Sequence, residues 1–231
     1  MPTAISLAGA SFSNPLIKGL PALANMEGWA YFGGDLAKSQ NVGSGGAWTN
    51  FLAGPTWFPN YAHCVNGVGA IQTPIGLRAA ETSLFAARML SIGGDAGTGA
   101  LSDRGCAVAF IPSFIAGGLQ VTTVGTLQTV ALVDHPVTPW RFYAVTTGGG
   151  VVPAVYDLTN NLSAVGATPT TNTPSTAIKV LGSSNSAAFP TNNRQIDIAF
   201  FGFYAAVLSK ANIDLIYASV KQSLALRGIA V

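Results

Sequence analysis

The chain has 231 residues, which is enough for one large all-β domain or two small ones. Only 9% of its residues are charged, against about 25% in an average globular protein, and the net charge is only +2. Binding to nucleic acid needs clustered Lys and Arg, so this composition excludes that class of partner. A mean hydropathy of +0.42 provides ample core, and a surface of Gly, Ser, Thr and Asn suits neutral partners such as sugars or neighbouring subunits.

The apolar segments of the chain are too short to cross a membrane as a helix. The most apolar run covers residues 196–208 and contains Asp197, whereas a spanning helix needs roughly 20 residues. The first lysine is Lys18, so the N-terminus lacks the positive region of a secretory signal. We therefore expect neither membrane insertion nor export through such a signal.

The N-terminal part of the chain differs from the rest in pattern. Residues 1–25 contain three prolines without apolar periodicity, which predicts an arm, and residues 26–231 are expected to form a single domain. Short apolar runs bounded by turn residues predict strands at 29–32, 57–61, 70–71 and from about 75. Residues 82–91 are compatible with a strand or a helix, because periodicity alone does not separate the two.

The second half of the chain gives a clearer β pattern. We predict a long exposed loop over residues 163–175, which are rich in Thr, Pro and Asn. Apolar and Thr-rich runs predict strands at 105–111, 120–133, 140–146, 151–158, 177–181 and 196–208.

A helix is predicted at the C-terminus. Ser209 is a suitable N-cap, and Gly228 after Arg227 is a natural stop. One apolar face is formed by residues at helical spacing: Ile213, Ile216, Tyr217, Val220 and Leu224.

Three segments in order carry a resemblance to a known superfamily. They are the strand WRFYAVT from Trp140, the strand IKVLGS from Ile178, and the run IDIAFFGFYAAVLS from Ile196 that leads into the helix. Together with a weaker similarity in the segment that begins at Trp57, they resemble the laminin-G and pentraxin-like branch of the concanavalin A-like superfamily. The resemblance covers residues 57–231. The resemblance implies an all-β jelly-roll β-sandwich with one C-terminal α-helix.

The same sandwich serves lectins, glucanases, adhesion modules and phage tail parts, so the fold alone does not give a function. With its low charge and small polar residues, the chain is similar to bacteriophage tail-fibre or particle proteins. This implies a non-enzymatic virion module for host-surface glycan recognition, particle structure or both. We expect it in the phage particle, or in the bacterial cytoplasm before release, as a homo-oligomer (a trimer is favoured) or bound to other virion proteins. A carbohydrate-active enzyme, or a free-standing carbohydrate-binding domain, is the alternative.

The carboxylates of the chain do not form a glucanase motif. Glycosidases need two carboxylates beside the scissile bond, but neither Glu27 nor Glu81 has a second carboxylate two or four residues later. We therefore predict no catalytic residues and no cofactor. Asp95 and Asp103 are most simply turn residues. The alternatives are an Asp pair that a glycosidase could use, and ligands of a calcium ion as in several laminin-G-like and pentraxin domains.

The histidines and cysteines also lack a recognisable pattern. His63 and His135 have no partners at catalytic or zinc-binding spacing. Without an export signal, Cys64 and Cys106 are expected to be buried thiols rather than a disulfide.

Aromatic residues give the remaining candidate site. Trp29 and Trp140 lie within strand patterns and are expected in the core. Other aromatic residues lie among Gly, Asn and Pro, where exposed rings could stack on sugar rings while amides bind hydroxyl groups. The predicted sugar-binding residues are Trp48, Trp57, Asn60 and Tyr61, with core packing or a subunit interface as the alternative role.

Overall fold

The computed structural model of the chain describes residues 25–65, 67–90, 98–102, 107–112, 117–123, 126–128, 139–174, 179–182 and 195–231. The strands are β1 (Met26–Tyr31), β2 (Thr49–Leu52), β3 (Thr56–Trp57), β4 (Ala62–Val65), β5 (Gly69–Gln72), β6 (Ala80–Met89), β7 (Thr98–Ser102), β8 (Ala107–Pro112), β9 (Gly117–Thr123), β10 (Thr126–Gln128), β11 (Arg141–Gly148), β12 (Ala154–Asp157), β13 (Leu162–Val165), β14 (Val180–Leu181) and β15 (Gln195–Tyr204). The helix is α1 (Lys210–Ala225).

The strands pair antiparallel in the order β10-β9-β8-β7-β14-β5-β4-β15-β6-β11-β12-β13. Beside this path, β1 pairs with β15, β2 with β5 and β3 with β4. The predicted fold class is therefore confirmed: the chain is an all-β jelly-roll sandwich with one C-terminal helix. The central strand β15 is hydrogen-bonded to β6 along one edge and to β4 and then β1 along the other.

Side chains of the central strands alternate between two faces, as the pleat of a strand requires. Phe85 and Tyr143 point towards the inner core between the sheets, whereas Leu84 and Phe142 point towards the outer core beneath α1. The inner core also contains Phe32, Trp48, Cys64, Ile71, Leu181, Phe201 and Phe203. The outer core also contains Trp29, Phe200, Tyr204, Ile213, Ile216, Val220 and Leu224.

A β-bulge interrupts this alternation in β15. The pairing register with β6 shifts between Ile198 and Phe200, which leaves Ala199 as the extra residue. The carbonyl of Ala199 instead accepts the backbone N–H of Phe32 at 2.8 Å. Because of the bulge, Ile198 and Phe201 both reach the inner core although three positions separate them.

The helix confirms the sequence prediction at its start and on its apolar face. The Ser209 hydroxyl accepts the backbone N–H of Asn212 at 3.3 Å, and Gly228 adopts a φ of +74°, which glycine tolerates without steric cost. Four residues of the predicted face are fully buried: Ile213, Ile216, Val220 and Leu224. In the part of the chain that the structure describes, no helix combines the length and apolar character needed to span a membrane.

The structure also corrects several predictions about segments. Residues 80–89 form a strand, which settles the ambiguity between strand and helix, but Ile75 is buried outside any strand. The predicted exposed loop over 163–175 is wrong in part, because Leu162–Val165 is a strand and Thr170 is buried. The Thr170 hydroxyl accepts the N–H of Gly148 at 3.0 Å, so a polar residue is buried to satisfy the backbone of a glycine turn.

Several predictions fall outside the described residues. The N-terminal arm, apart from Asn25, lies there, as do Asp95, Asp103, His135 and Cys106. Cys64 is a free, buried thiol, as predicted for it.

Candidate functional site

Three charged or polar side chains form a row across neighbouring strands on the outer face. In the register of the sheet, Asp197 of β15 lies opposite His63 of β4 and opposite Arg88 of β6. Directly paired residues of adjacent strands present their side chains on the same face. Ile196 and Ile198 belong to the inner core, so Asp197 points to the outer face with both partners.

The Asp197 carboxylate joins the other two side chains. Its Oδ1 lies 2.7 Å from His63 Nδ1, and its Oδ2 accepts a hydrogen bond of 2.7 Å from Arg88 Nε. An ionised carboxylate has only acceptor positions, so His63 donates through Nδ1. The Asp197 side chain is 1% exposed and that of Arg88 is 28% exposed. Solvent therefore reaches the arginine of this ion pair, whereas the carboxylate is buried.

Aromatic rings surround the Arg88 guanidinium. Its Cζ lies 4.8 Å from the centre of the Trp140 ring and 5.1 Å from that of Tyr61, both within the range of cation–π attraction. The two rings meet edge to face, 5.6 Å apart. Phe58 stacks on Tyr61 with its ring centre 4.7 Å away, and is 38% exposed. We name this group the Arg88 cluster: Phe58, Tyr61, His63, Arg88, Trp140 and Asp197.

The side chains of the Arg88 cluster suit ligand binding better than acid–base catalysis. Its one carboxylate, Asp197, is buried and already accepts two hydrogen bonds. Its partly exposed groups are a guanidinium, an imidazole and aromatic rings, which supply hydrogen-bond donors beside apolar faces. Thr56, exposed on β3, extends the row because it pairs with His63.

The residues predicted to bind sugar are divided between the two faces of the sheet. Tyr61 belongs to the Arg88 cluster, and Asn60 precedes it in the turn between β3 and β4. Trp57 is half-buried against the inner core, with its ring 6.5 Å from that of Phe32. The four residues therefore do not form one surface.

Trp48 is buried, so the exposure on which its sugar-binding role depended is not found. It is 2% exposed, and its ring packs 5.3 Å from that of Phe32 in the inner core. The side chain of Gln40 accepts the N–H of Trp48 at 3.0 Å and donates to its carbonyl at 3.2 Å. These two bonds satisfy the backbone hydrogen-bonding groups of Trp48 in the loop, so the Trp48 ring can point into the core.

The other two tryptophans were predicted in the core, and the structure separates them. Trp29 is buried in the outer core, 4.9 Å from Phe200, which confirms the prediction. Trp140 packs only partly against that core and remains half-exposed next to Arg88. It lies one residue before the start of β11 at Arg141.

A cavity of about 270 Å³ is lined in part by Gly33, which lies against the turn at Asn60. Tyr31, Lys38 and Arg227 line it, and the Arg227 guanidinium lies 5.5 Å from the centre of the Tyr31 ring. Burial raises the pKa of Tyr31 and lowers that of Arg227. Gly33 also lines the cavity, and a Cβ there would lie 2.4 Å from the carbonyl oxygen of Pro59, so only glycine fits against this turn.

Metal binding finds no support among the described residues. No group of three or more His, Cys, Asp or Glu side chains in that part of the chain is arranged to hold an ion. The predicted calcium ligands, Asp95 and Asp103, lie outside the described residues, so calcium binding there stays a prediction.

Comparison with known proteins shows similarity at the level of structure. No protein-family model and no curated protein matches the chain. The binding domain of botulinum neurotoxin serotype C1 is similar, with 12% identity, a TM-score of 0.62, and coverage of 86% of this chain and 53% of the toxin domain. A Trypanosoma rangeli sialidase has 11% identity and a TM-score of 0.61, with coverage of 88% and 34%.

Further botulinum neurotoxin binding domains match equally well. One is from botulinum neurotoxin type C, whose cell entry depends on interaction with two ganglioside molecules. It has 14% identity and a TM-score of 0.61, with coverage of 86% of this chain and 52% of the other. The chain thus spans about half the length of the neurotoxin domains it matches. At these identities the similarity shows the fold, a lectin-like β-sandwich.

Proposed function

We propose that the chain is a non-enzymatic carbohydrate-recognition module that binds its ligand at the Arg88 cluster. The observation that carries this proposal is the half-exposed Trp140 ring beside an arginine whose orientation Asp197 fixes. A sugar presents apolar C–H faces and hydroxyl oxygens. An aromatic face and a fixed fork of N–H donors match these two features.

The structural neighbours support carbohydrate as the first ligand class to test. One neurotoxin binding domain was solved in complex with SialylT, cell entry of another neurotoxin depends on ganglioside molecules, and a third neighbour is a sialidase. Those ligands are known for those proteins, and for this chain they motivate the proposal.

The state of the two glutamates supports the non-enzymatic part of the proposal. Glu27 forms an ion pair with Arg78, with Oε2 2.8 Å from Nη2. Glu81 forms one with Lys179, with Oε1 2.9 Å from Nζ. A glycosidase needs one carboxyl group that can donate a proton and a second one on the other side of the bond. Paired carboxylates of this kind are poor candidates for either role.

The biological setting we propose is the phage virion, as a tail-fibre, tail-tip or decoration module that forms a homo-oligomer, with a trimer favoured. Its support is compositional: 9% charged residues, and a surface of small polar residues. A module of this kind would use the Arg88 cluster on host-surface glycan.

The test is a glycan array with the full chain, followed by titration of the best ligand against two variants. We expect Trp140→Ala to weaken binding at least about tenfold, because it removes the stacking face. The control Val165→Ala trims an exposed side chain on β13 and should leave binding unchanged. An array without binding by folded protein would contradict the proposed function, and full affinity in Trp140→Ala would contradict the site.

A further inference from the structure

The side chain of Arg88 has donor capacity that its hydrogen bonds with the described residues do not use. Its Nε bonds Asp197, and among the described residues no hydrogen-bond partner is found for its two terminal amino groups. A guanidinium carries five N–H donors in a fixed planar fork. The Arg88 side chain is 28% exposed, so it is the partner of this ion pair that solvent reaches.

The orientation of this fork is fixed before any ligand arrives. The buried Asp197 carboxylate holds one edge of the guanidinium, and the rings of Tyr61 and Trp140 lie within about 5 Å of its centre. His63 in turn holds the other oxygen of Asp197 at 2.7 Å. Preorganisation of this kind lowers the conformational cost of binding, since the arginine does not have to be ordered by the ligand.

The ligand group that best matches a planar fork of donors is a carboxylate, which accepts two parallel N–H···O bonds. A hydroxyl group can use only one of them. The guanidinium lies over the ring of Trp140, 4.8 Å from its centre, and Trp140 is only partly buried. A carboxylate on the fork would therefore place the ring that bears it against an aromatic face.

From this arrangement we infer that the Arg88 cluster selects sugars that bear a carboxylate, namely sialic or uronic acids, over neutral sugars. The inference rests on the proposed function and names the substrate class of that same site. The carboxylate is bound end-on by the terminal amino groups of Arg88, and the sugar ring lies against Trp140. Thr56 and His63 lie along the same row, where they can reach hydroxyl groups.

The experiment compares acidic sugars with partners that lack only the charge. Titration calorimetry on the full chain uses 3′-sialyllactose against its carboxyl methyl ester, and a hyaluronan oligosaccharide against the same oligosaccharide after reduction of its carboxylates to alcohols. We expect at least one acidic probe to bind about tenfold to a hundredfold more tightly than its neutral partner, the range of a charge-assisted pair. A difference in affinity within the sialyllactose pair indicates a sialic-acid site, and one within the hyaluronan pair indicates a uronic-acid site.

Two variants assign that preference to Arg88. Arg88→Gln should bind the acidic and neutral probes alike, and Arg88→Lys should retain only part of the preference, because an ammonium lacks the planar fork. The matched control Lys221→Gln removes one positive charge from the exposed surface of α1 and should keep the full preference. Circular dichroism and thermal melting verify that each variant is folded.

The possible failures are distinguishable. Equal binding of the acidic and neutral probes by the unaltered chain overturns the inference and leaves carbohydrate recognition standing. A preference that survives in folded Arg88→Gln, or that is lost equally in Lys221→Gln, also overturns it, since overall charge would then be responsible. If none of the four probes binds and the array shows no binding either, the proposed function falls together with the inference.

Discussion

At the residue scale, the ion pair between Lys179 and Glu81 has a direct bearing on stability, because both side chains are buried. The lysine Nζ lies 2.9 Å from Glu81 Oε1 and 5.0 Å from the centre of the Phe203 ring. Glu81 also accepts the backbone N–H of Arg78 at 2.6 Å. Removing one partner of a buried pair leaves a charge in a low-dielectric site, at a cost of about 3–5 kcal/mol.

We therefore expect Lys179→Met to lower the free energy of unfolding by about 3–5 kcal/mol, measured by urea denaturation. Lys221→Met is the matched control, because Lys221 lies on the exposed surface of α1, and should change stability by less than about 0.5 kcal/mol. A loss in Lys179→Met no larger than that of the control would show that the pair does not carry stability.

The Cys64 thiol is expected to be chemically inert in the folded protein. Burial raises its pKa strongly, and the nearby Asp197 carboxylate raises it further. Since the thiolate is the reactive form, alkylation of Cys64 by iodoacetamide at pH 8 should require unfolding. Peptide mapping by mass spectrometry before and after addition of urea measures this. Rapid modification of Cys64 in the native protein would contradict the structure here.

At the scale of elements, the helix α1 contributes stability mainly through its buried face. We expect Ile216→Ala to destabilise the fold by about 2–5 kcal/mol, because it leaves a cavity in the outer core. The neighbouring Leu215 is 62% exposed, so Leu215→Ala should cost less than about 0.5 kcal/mol. Thermal and urea unfolding of both variants measure the difference, and equal losses would mean that the helix does not dock as described.

The helix was predictable and the details of β15 were not, for a physical reason. One apolar face at helical spacing beside solvent leaves a clear pattern, from Ile213 to Leu224. A central strand buried on both faces shows only a continuous apolar run, so neither its alternation nor its bulge at Ala199 can be derived from the sequence. The bulge decides that Phe201 points to the inner core and Phe200 to the outer core.

The candidate site was predictable only where it is local in sequence. Asn60 and Tyr61 were predicted from the composition of one loop, and Tyr61 does lie in the Arg88 cluster. The Arg88–Asp197–His63 row joins residues more than one hundred positions apart, and only the strand register brings them together. Trp48 was wrongly expected to be exposed because its sequence neighbours are small and polar. The sequence does not reveal that Gln40 bonds the Trp48 backbone and so allows its ring to be buried.

At the scale of the whole molecule, the helix determines where the outer face can bind a ligand. Over Leu84 and Phe142 that face lies beneath α1 and is buried. Towards the other end of the same strands, Arg88 and Trp140 remain partly exposed. The order of the sequence motifs was sufficient to predict a jelly roll with a terminal helix. The position of α1 over only part of the sheet is a tertiary feature, and it creates the exposed cluster.

The surface of the molecule favours self-association. Several apolar side chains are exposed, including Leu52, Val165 and Leu226. Because only 9% of the residues are charged, little charge repulsion opposes self-association. We expect light scattering on the full chain to give about three times its 23.6 kDa mass. Deletion of residues 1–24 keeps the Asn25 carbonyl that accepts the Ala205 N–H at 2.8 Å. If the predicted arm joins subunits, light scattering of this variant should give the mass of one chain. A full chain that is itself monomeric would contradict the proposed assembly and favour a free-standing lectin-like domain.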